Sequence, residues 1–409
     1  MTTQEPGASP RASPGASPGA SPGARSALVP AGLALIAICY GFARFTYGLF
    51  SPEFRQEFAL TATVSGVIGA GSYVGYCLAI VLSSALTPRW GPRPVAVLAG
   101  VVATVGITVV ALAPSALVLA TGILIAGSST GVASPPLAAA VAKWIREDAQ
   151  PRAQTLVNAG TGVGVLVSGP VALLMLEQWR WAWAMFAVGA ALVTWWIHAT
   201  MPSGNDGVGG AAGTDARNDR SGAPPRRATG ILITASFLLG ISSVAVWTFG
   251  RELITVEGDA SGHLSSVMWT VIGAAGIAGA LSGPLVQRIG IPASWMSLMV
   301  ALAAASAGLA IAPSNTGIIT VGAVIFGATY IALTGVALLW ATRLYPTRAA
   351  FGVGLSFFMI AAGQAIGAPL IGAGTDLYGL PAVFYACAAL ALLGAALGPF
   401  TRPPLHMRR

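Results

Sequence analysis

Twelve apolar runs of membrane-spanning length recur along this chain, and they constrain its fold more than any other feature. A bilayer core of roughly 30 Å takes about 20 apolar residues as a helix but only about 10 as a barrel strand. Broken at charged, Pro and Gly punctuation, the runs cover 27–50, 61–84, 94–113, 117–142, 153–176, 181–201, 229–250, 264–286, 293–312, 316–341, 349–372 and 380–400. Charged residues make up 8% of the 409, whereas soluble domains carry about a quarter. The chain therefore reads as an all-α integral membrane protein with twelve transmembrane helices, partnered by the lipid bilayer.

Polar stretches punctuate this pattern. Residues 1–26, with "ASPGASPGASPGA", hold too little apolar surface to offset the cost of ordering and read as a disordered tail. Residues 202–228 carry Gly, Asp and Arg throughout and read as a flexible linker between two six-helix halves, 27–201 and 229–400, with 401–409 as a second tail. Of the 21 Lys and Arg, 17 fall in the tails, the linker and the even-to-odd loops. Arg55, Arg180 and Arg251 fall on the other side, and Arg44 lies inside helix 1. By the positive-inside rule, both termini and the linker are cytoplasmic.

The same inventory excludes whole classes of function. Cys39, Cys77 and Cys387 all lie in apolar spans and no Cys/His cluster has metal-ligand spacing, so neither a disulfide nor a metal site is expected. The only lysine, Lys143, precedes Trp144, which rules out a Gly-Lys-Ser/Thr phosphate loop. The net charge of +8 comes from basic residues along one membrane face, so no nucleic-acid partner is read from it. The spans offer no nucleophile with a base or metal, and the chain reads as neither an enzyme nor a cofactor protein.

The two halves resemble each other. "LTPRWGPRP" (Leu86 to Pro94) after helix 2 and "LVQRIGIPA" (Leu285 to Ala293) after helix 8 share Leu-x-x-Arg-x-Gly, with Arg89 and Gly91 lying 199 residues before Arg288 and Gly290. "ALAPS" from Ala111 and "AIAPS" from Ala310 recur at that offset, as do Pro170 and Pro369. These loops resemble the Gly-x-Leu-x-Asp-Arg-x-Gly-Arg signature of the major facilitator superfamily. The second copy matches at Gly283, Leu285, Arg288 and Gly290, the first at Leu86, Arg89, Gly91 and Arg93. Ser84 replaces the leading glycine, and Pro88 and Gln287 replace the aspartate, which in the family joins a cytoplasmic charge network holding the outward-open state. "NAGTGVGVLVSGP" (Asn158 to Pro170) is similar to the Gly-Pro motif of the family's antiporters, and "GFARFTYGLF" is similar to the bacterial YbfB/YjiJ-like branch. The resemblance implies two pseudo-symmetric six-helix bundles, a monomer in the bacterial cytoplasmic membrane, and alternating access by rocking about a midplane site. It makes Arg89, Gly91, Arg93, Gly283, Arg288 and Gly290 candidates for conformational gating loops.

Arg44 is the residue hardest to reconcile with lipid. A charge at membrane depth costs about 2.5–3.5 kcal/mol on insertion scales. Six residues before Phe50, Arg44 lies about 9 Å inside the helix end at 1.5 Å per residue, a distance its side chain barely spans by snorkelling. Two readings stand, a structural arginine or one that faces a cavity. Tyr40, Arg44 and Tyr47 fall at i, i+4 and i+7 on one helical face, and the resemblance puts helix 1 beside the substrate path. Glu53, Glu57, Glu177, Glu252, Glu257, Asp259 and Asp376 cluster near the outer ends and the other six acids are cytoplasmic, so only Glu53 or Glu252 could reach Arg44 from the rim. A substrate carboxylate, held through two parallel hydrogen bonds, is the other counter-ion open to it.

Further cavity candidates are Tyr73 and Tyr76 in helix 2, Asn158 in helix 5, Trp247 in helix 7, Trp269 in helix 8, Tyr330 in helix 10 and Gln364 in helix 11, with lipid-facing or core packing as the alternative for each aromatic. Trp179, Trp181 and Trp183 read as an interfacial belt. Pro135 and Pro136 in helix 4, and Gly169 and Pro170 in helix 5, serve either packing or a hinge, with the prolines freeing backbone carbonyls toward a cavity. His198, His263 and His406 sit at ends or in a tail, so proton coupling would involve Glu53, Glu252, Asp376 or the substrate itself, and the coupling ion stays open. The expected function is secondary transport of a small organic anion or amphiphile. Export of neutral or cationic drugs or metabolites, and a solute sensor that does not transport, are the alternatives.

Overall fold

The computed structural model describes residues 22–202 and 224–401. Residues 1–21, 203–223 and 402–409, which hold most of the expected tails and linker, lie outside the described residues. Lipid offers the backbone no hydrogen-bond partner, so each span satisfies its own amides as a helix. Twelve such helices follow one another among the described residues: α1 Ala27–Leu49, α2 Ala62–Trp90, α3 Pro92–Ala111, α4 Ala116–Trp144, α5 Gln150–Leu174, α6 Trp179–Thr200, α7 Arg226–Glu257, α8 262–289, α9 291–311, α10 Thr316–Leu344, α11 Ala349–Tyr378 and α12 Leu380–Ala395. A short helix, Ser51–Glu57, follows α1 where the sequence suggests a loop.

The duplication seen in the sequence is repeated in the backbone. Gly91, between α2 and α3, has φ 83° and ψ 166°; Gly290, between α8 and α9, has φ 80° and ψ 166°. That conformation is essentially closed to residues with a Cβ, which explains why glycine stands at both positions. The helix starts repeat too. Thr61 caps α2 and Ser261 caps α8, each side chain accepting the amide three residues on, and Ser115 and Asn315 do the same for α4 and α10.

Glycines bring the halves together. Gly48 of α1 lies against the Trp247 carbonyl, Gly66 of α2 against Ala368, Gly372 of α11 against Ala62, and Gly162 of α5 against Gly273, each so closely that an added Cβ would overlap backbone. Thus α1, α2 and α5 face α7, α8 and α11, while α3 and α6 pack outside one half and α9 and α12 outside the other.

One end of this seam is closed by charge. Arg251 at the end of α7, 2% exposed, donates to both carboxylate oxygens of Glu53, to the Leu49 carbonyl and to Ser265 Oγ at 2.9 Å. Arg55 pairs in turn with Glu252. Asp376 of α11 accepts the Ala62 and Thr63 amides at 3.1 and 2.8 Å and the Thr63 hydroxyl at 2.6 Å, placing a carboxylate on the α2 N-terminus from the opposite half. Neither Glu53 nor Glu252 is therefore left to serve Arg44.

The aromatic belt expected at the start of α6 is mostly inside the protein. Trp181 is exposed, but Trp179 packs on Phe54 and donates to Glu57 at 2.6 Å, and Trp183 is buried among Phe50, Phe54 and Phe186. Phe54 of the short Ser51–Glu57 helix packs on both buried rings.

Candidate functional site

Arg44 sits where the halves meet, and it is 4% exposed. The backbone from Ala37 to Phe45 is a π-helix, and at its end the Thr46 amide and hydroxyl both bond to the Gly41 carbonyl, five residues back. Gly41 in turn packs directly on the Gly164 backbone of α5. A π turn takes more residues to close than an α turn, so Tyr47 falls off the face that carries Tyr40 and Arg44. Its hydroxyl instead donates to the Ser65 carbonyl at 2.8 Å, within its own half.

Four aromatic rings enclose the guanidinium. Its central carbon lies 4.8 Å from the Tyr73 ring centre, 4.9 Å from Tyr76, 5.2 Å from Phe45 and 5.5 Å from Tyr40. Aromatic faces at that range attract a desolvated cation. From the other half, Gln364 of α11 accepts an Arg44 N–H on Oε1 and donates from Nε2 to Tyr330 Oη at 3.3 Å. Behind the cage Trp247 stacks on Phe45 with ring centres 4.0 Å apart and meets Trp269, Phe326 and Tyr330 edge-on. Arg44 Nε and Tyr76 Oη in the cage remain unpaired, as do the Trp247 and Trp269 indole N–H groups behind it.

A cavity of about 20 Å³ opens beside the cage, enough for one water-sized probe. Of the expected residues, Tyr40, Arg44, Tyr76, Asn158 and Tyr330 line it. Tyr73 and Gln364 grip Arg44 from behind, Trp247 and Trp269 form the backing layer, and Tyr47 lies away from the site. Phe45, Thr161, Thr334 and Phe357 also line the cavity and escaped the sequence reading. Tyr40 Oη bonds Ser134 Oγ at 3.0 Å, and Asn158 donates to Thr334 Oγ1 at 3.3 Å across the halves. Asn158 and Phe357 keep partial exposure, both on the side away from the closed end.

Helix α4 runs unbroken through Pro135 and Pro136, and the Val132 carbonyl that Pro136 leaves unpaired accepts Ser83 Oγ of α2 at 2.9 Å. In α5, which continues through Pro170, Gly169 abuts Thr270 of α8. Of the loop residues, Arg93 donates to the His198 carbonyl at 2.6 Å, in the last turn of α6. Arg89 and Arg288 are exposed, and Gly283 has open space around its missing Cβ.

Two pseudo-symmetric helix bundles with a buried polar cage between them define a membrane transporter. The chain belongs to the Major Facilitator Superfamily, whose sequence pattern matches residues 33–350. It is 27% identical over 388 residues to the protein called transcription regulatory protein OpdE of Pseudomonas aeruginosa, covering 90% of this chain and 92% of that protein. It is 29% identical to mouse (Mus musculus) monocarboxylate transporter 11 over 161 residues, 39% of this chain and 36% of the relative. Its fold matches the crystal structure of a bacterial homolog of the human lysosomal transporter Spinster, inward-facing and occupied, with a TM-score of 0.72 at 13% identity over 95% of this chain and 99% of that one.

Proposed function

We propose that this protein is a secondary transporter that carries a small organic anion across the bacterial cytoplasmic membrane, the halves 27–201 and 229–400 rocking about the Arg44 cage. One observation carries the reading. A buried guanidinium lies at the junction of the halves, the nearest acids are committed to Arg251 and Arg55, and Arg44 Nε and Tyr76 Oη remain free to donate. The cavity holds about one water when closed in this way, so the anion enters as the halves part; its carboxylate then supplies the missing charge and accepts both donors, while Phe45, Tyr330 and Phe357 receive its apolar part.

Two further points favour this reading. The named cargo of the mouse relative is a monocarboxylate, although the shared stretch is partial. Closure at the α1–α2 end, with partial exposure kept on the opposite side, suits a carrier facing the cytoplasm when the basic loops are inside. The regulatory name of the Pseudomonas relative favours one second reading, a solute sensor built on a transporter fold.

The test is thermal unfolding of the purified full chain against carboxylates, sulfonates, neutral amphiphiles and organic cations, with wild type and Arg44→Ala in parallel. A ligand bound only by the folded state stabilises by about 2.7 kcal/mol at a hundredfold excess over Kd. Anions shift the wild-type melt and not that of folded Arg44→Ala. A shift by cations or neutral compounds alone, equal in both proteins, overturns the anion reading.

A further inference from the structure

We infer that Gln364 is the stand-in for the substrate's anionic group, holding Arg44 while the site is empty and yielding it when an anion enters. The inference rests on the anion reading above and adds a specificity-determining residue that sits on the opposite half from the arginine.

The chemistry of the two groups sets the direction of the contact. A guanidinium carries donors alone, so the carboxamide oxygen must face Arg44, which leaves the carboxamide nitrogen to donate to Tyr330 Oη. Gln364 is completely buried, and the cavity beside Arg44 has room for about one water. A carboxamide is planar like a carboxylate but neutral, with one acceptor atom where the anion has two. The Arg44 contact to the amide is already charge-assisted, but an anion adds the Coulomb attraction of an opposite charge, which a neutral amide lacks. An anion that reaches the guanidinium therefore displaces the amide oxygen, and it also satisfies Arg44 Nε and Tyr76 Oη, which the amide leaves unpaired.

The residue type follows from this duty. A glutamate at position 364 would be a permanent counter-ion and would close the site to anions. An apolar residue would leave the buried cation to its rings alone. Glutamine satisfies Arg44 in part and can be outcompeted. Because Arg44 belongs to α1 and Gln364 to α11, displacement also removes a side-chain hydrogen bond that joins the two halves, and so ties substrate binding to the freedom of the halves to part.

The experiment measures binding of benzoate, with the wider anion panel alongside, to the full-length protein in detergent as wild type, Gln364→Glu and Gln364→Leu. Gln364→Glu is expected to melt at a higher temperature than wild type only when Arg44 is present, and to lose the anion-induced shift. Gln364→Leu, freed of the competing amide, is expected to bind anions about tenfold more tightly, the scale of a hydrogen bond to a charged group. These opposite signs do not arise from a merely structural glutamine. Unchanged anion binding in Gln364→Glu, or weaker binding in a folded Gln364→Leu, overturns the assignment while the anion reading stands. If no anion of the panel stabilises the wild type, the anion reading fails and takes this assignment with it.

Discussion

Arg251 and Glu53, 198 residues apart and on opposite halves, meet through two nitrogens and two oxygens at one end of the helix seam. The neighbouring Arg55 and Glu252 form a reciprocal pair, so each half contributes one cation and one acid to the closure. This places an inter-half charge network at the end opposite the signature loops, whose aspartate is replaced by Pro88 and Gln287.

Removing one member of this buried network strands its partner. Arg251→Met should lower unfolding stability by about 3 kcal/mol, because Glu53 is left with an unpaired charge. Adding Glu53→Met to that variant should recover much of the loss. Denaturant titration of the three proteins checks this, and a double variant no more stable than the single one would show that the pairing is not what holds this end.

Close approach at the seam makes a sharp contrast between two glycines. A Cβ at Gly48 would overlap the Trp247 carbonyl, whereas Gly230, near the start of α7, has nothing within 4 Å of the same position. Gly48→Ala should cost about 1–3 kcal/mol through overpacking. Gly230→Ala should be neutral or stabilise by up to about 1 kcal/mol through helix propensity. Melting temperatures of the two variants decide the point.

The signature glycines should also separate. Gly290 holds φ +80° and Gly283 does not share that constraint, so Gly290→Ala should destabilise by about 1–3 kcal/mol while Gly283→Ala leaves the melt unchanged. Equal effects would mean that the turn conformation is not the reason for glycine at Gly290.

Acid should weaken the rim through Glu57. The hydrogen bond from Arg180, with a further one from the Trp179 indole, holds the Glu57 carboxyl below its ordinary 4.5 against the opposing effect of partial burial. A carboxyl whose value is depressed in the folded state contributes stability above its unfolded value and loses that contribution as pH falls through the folded one. Melting temperature should therefore drop as pH falls below the ordinary carboxyl value of 4.5, and less steeply in Glu57→Gln. Identical slopes would assign the acid sensitivity to other groups.

Lipid makes the twelve spans legible, because it dictates their length. The Gly91 and Gly290 turns are legible because one backbone conformation admits little else. Arg44 stands out as a charge among apolar neighbours. The rest depends on approach in three dimensions. The π segment that turns Tyr47 away from Arg44 leaves no mark in apolar periodicity. Thr161, Thr334 and Phe357 look like ordinary residues of a span until the helices are assembled. The same holds for Ser83, which caps a carbonyl on another helix, and for Trp183, against which Phe54 of the Ser51–Glu57 helix packs.

The most direct test is flux. The full chain, reconstituted in liposomes, is loaded with the carboxylate that most shifts the wild-type melt, and entry of the labelled compound is followed for wild type and Arg44→Gln. Rapid counterflow in wild type, reduced about tenfold or more in a folded Arg44→Gln, is the predicted result, since the lost contact is a charge-assisted one. Binding without flux in wild type would make the protein a sensor, and equal flux in both proteins would show that the anion passes without Arg44.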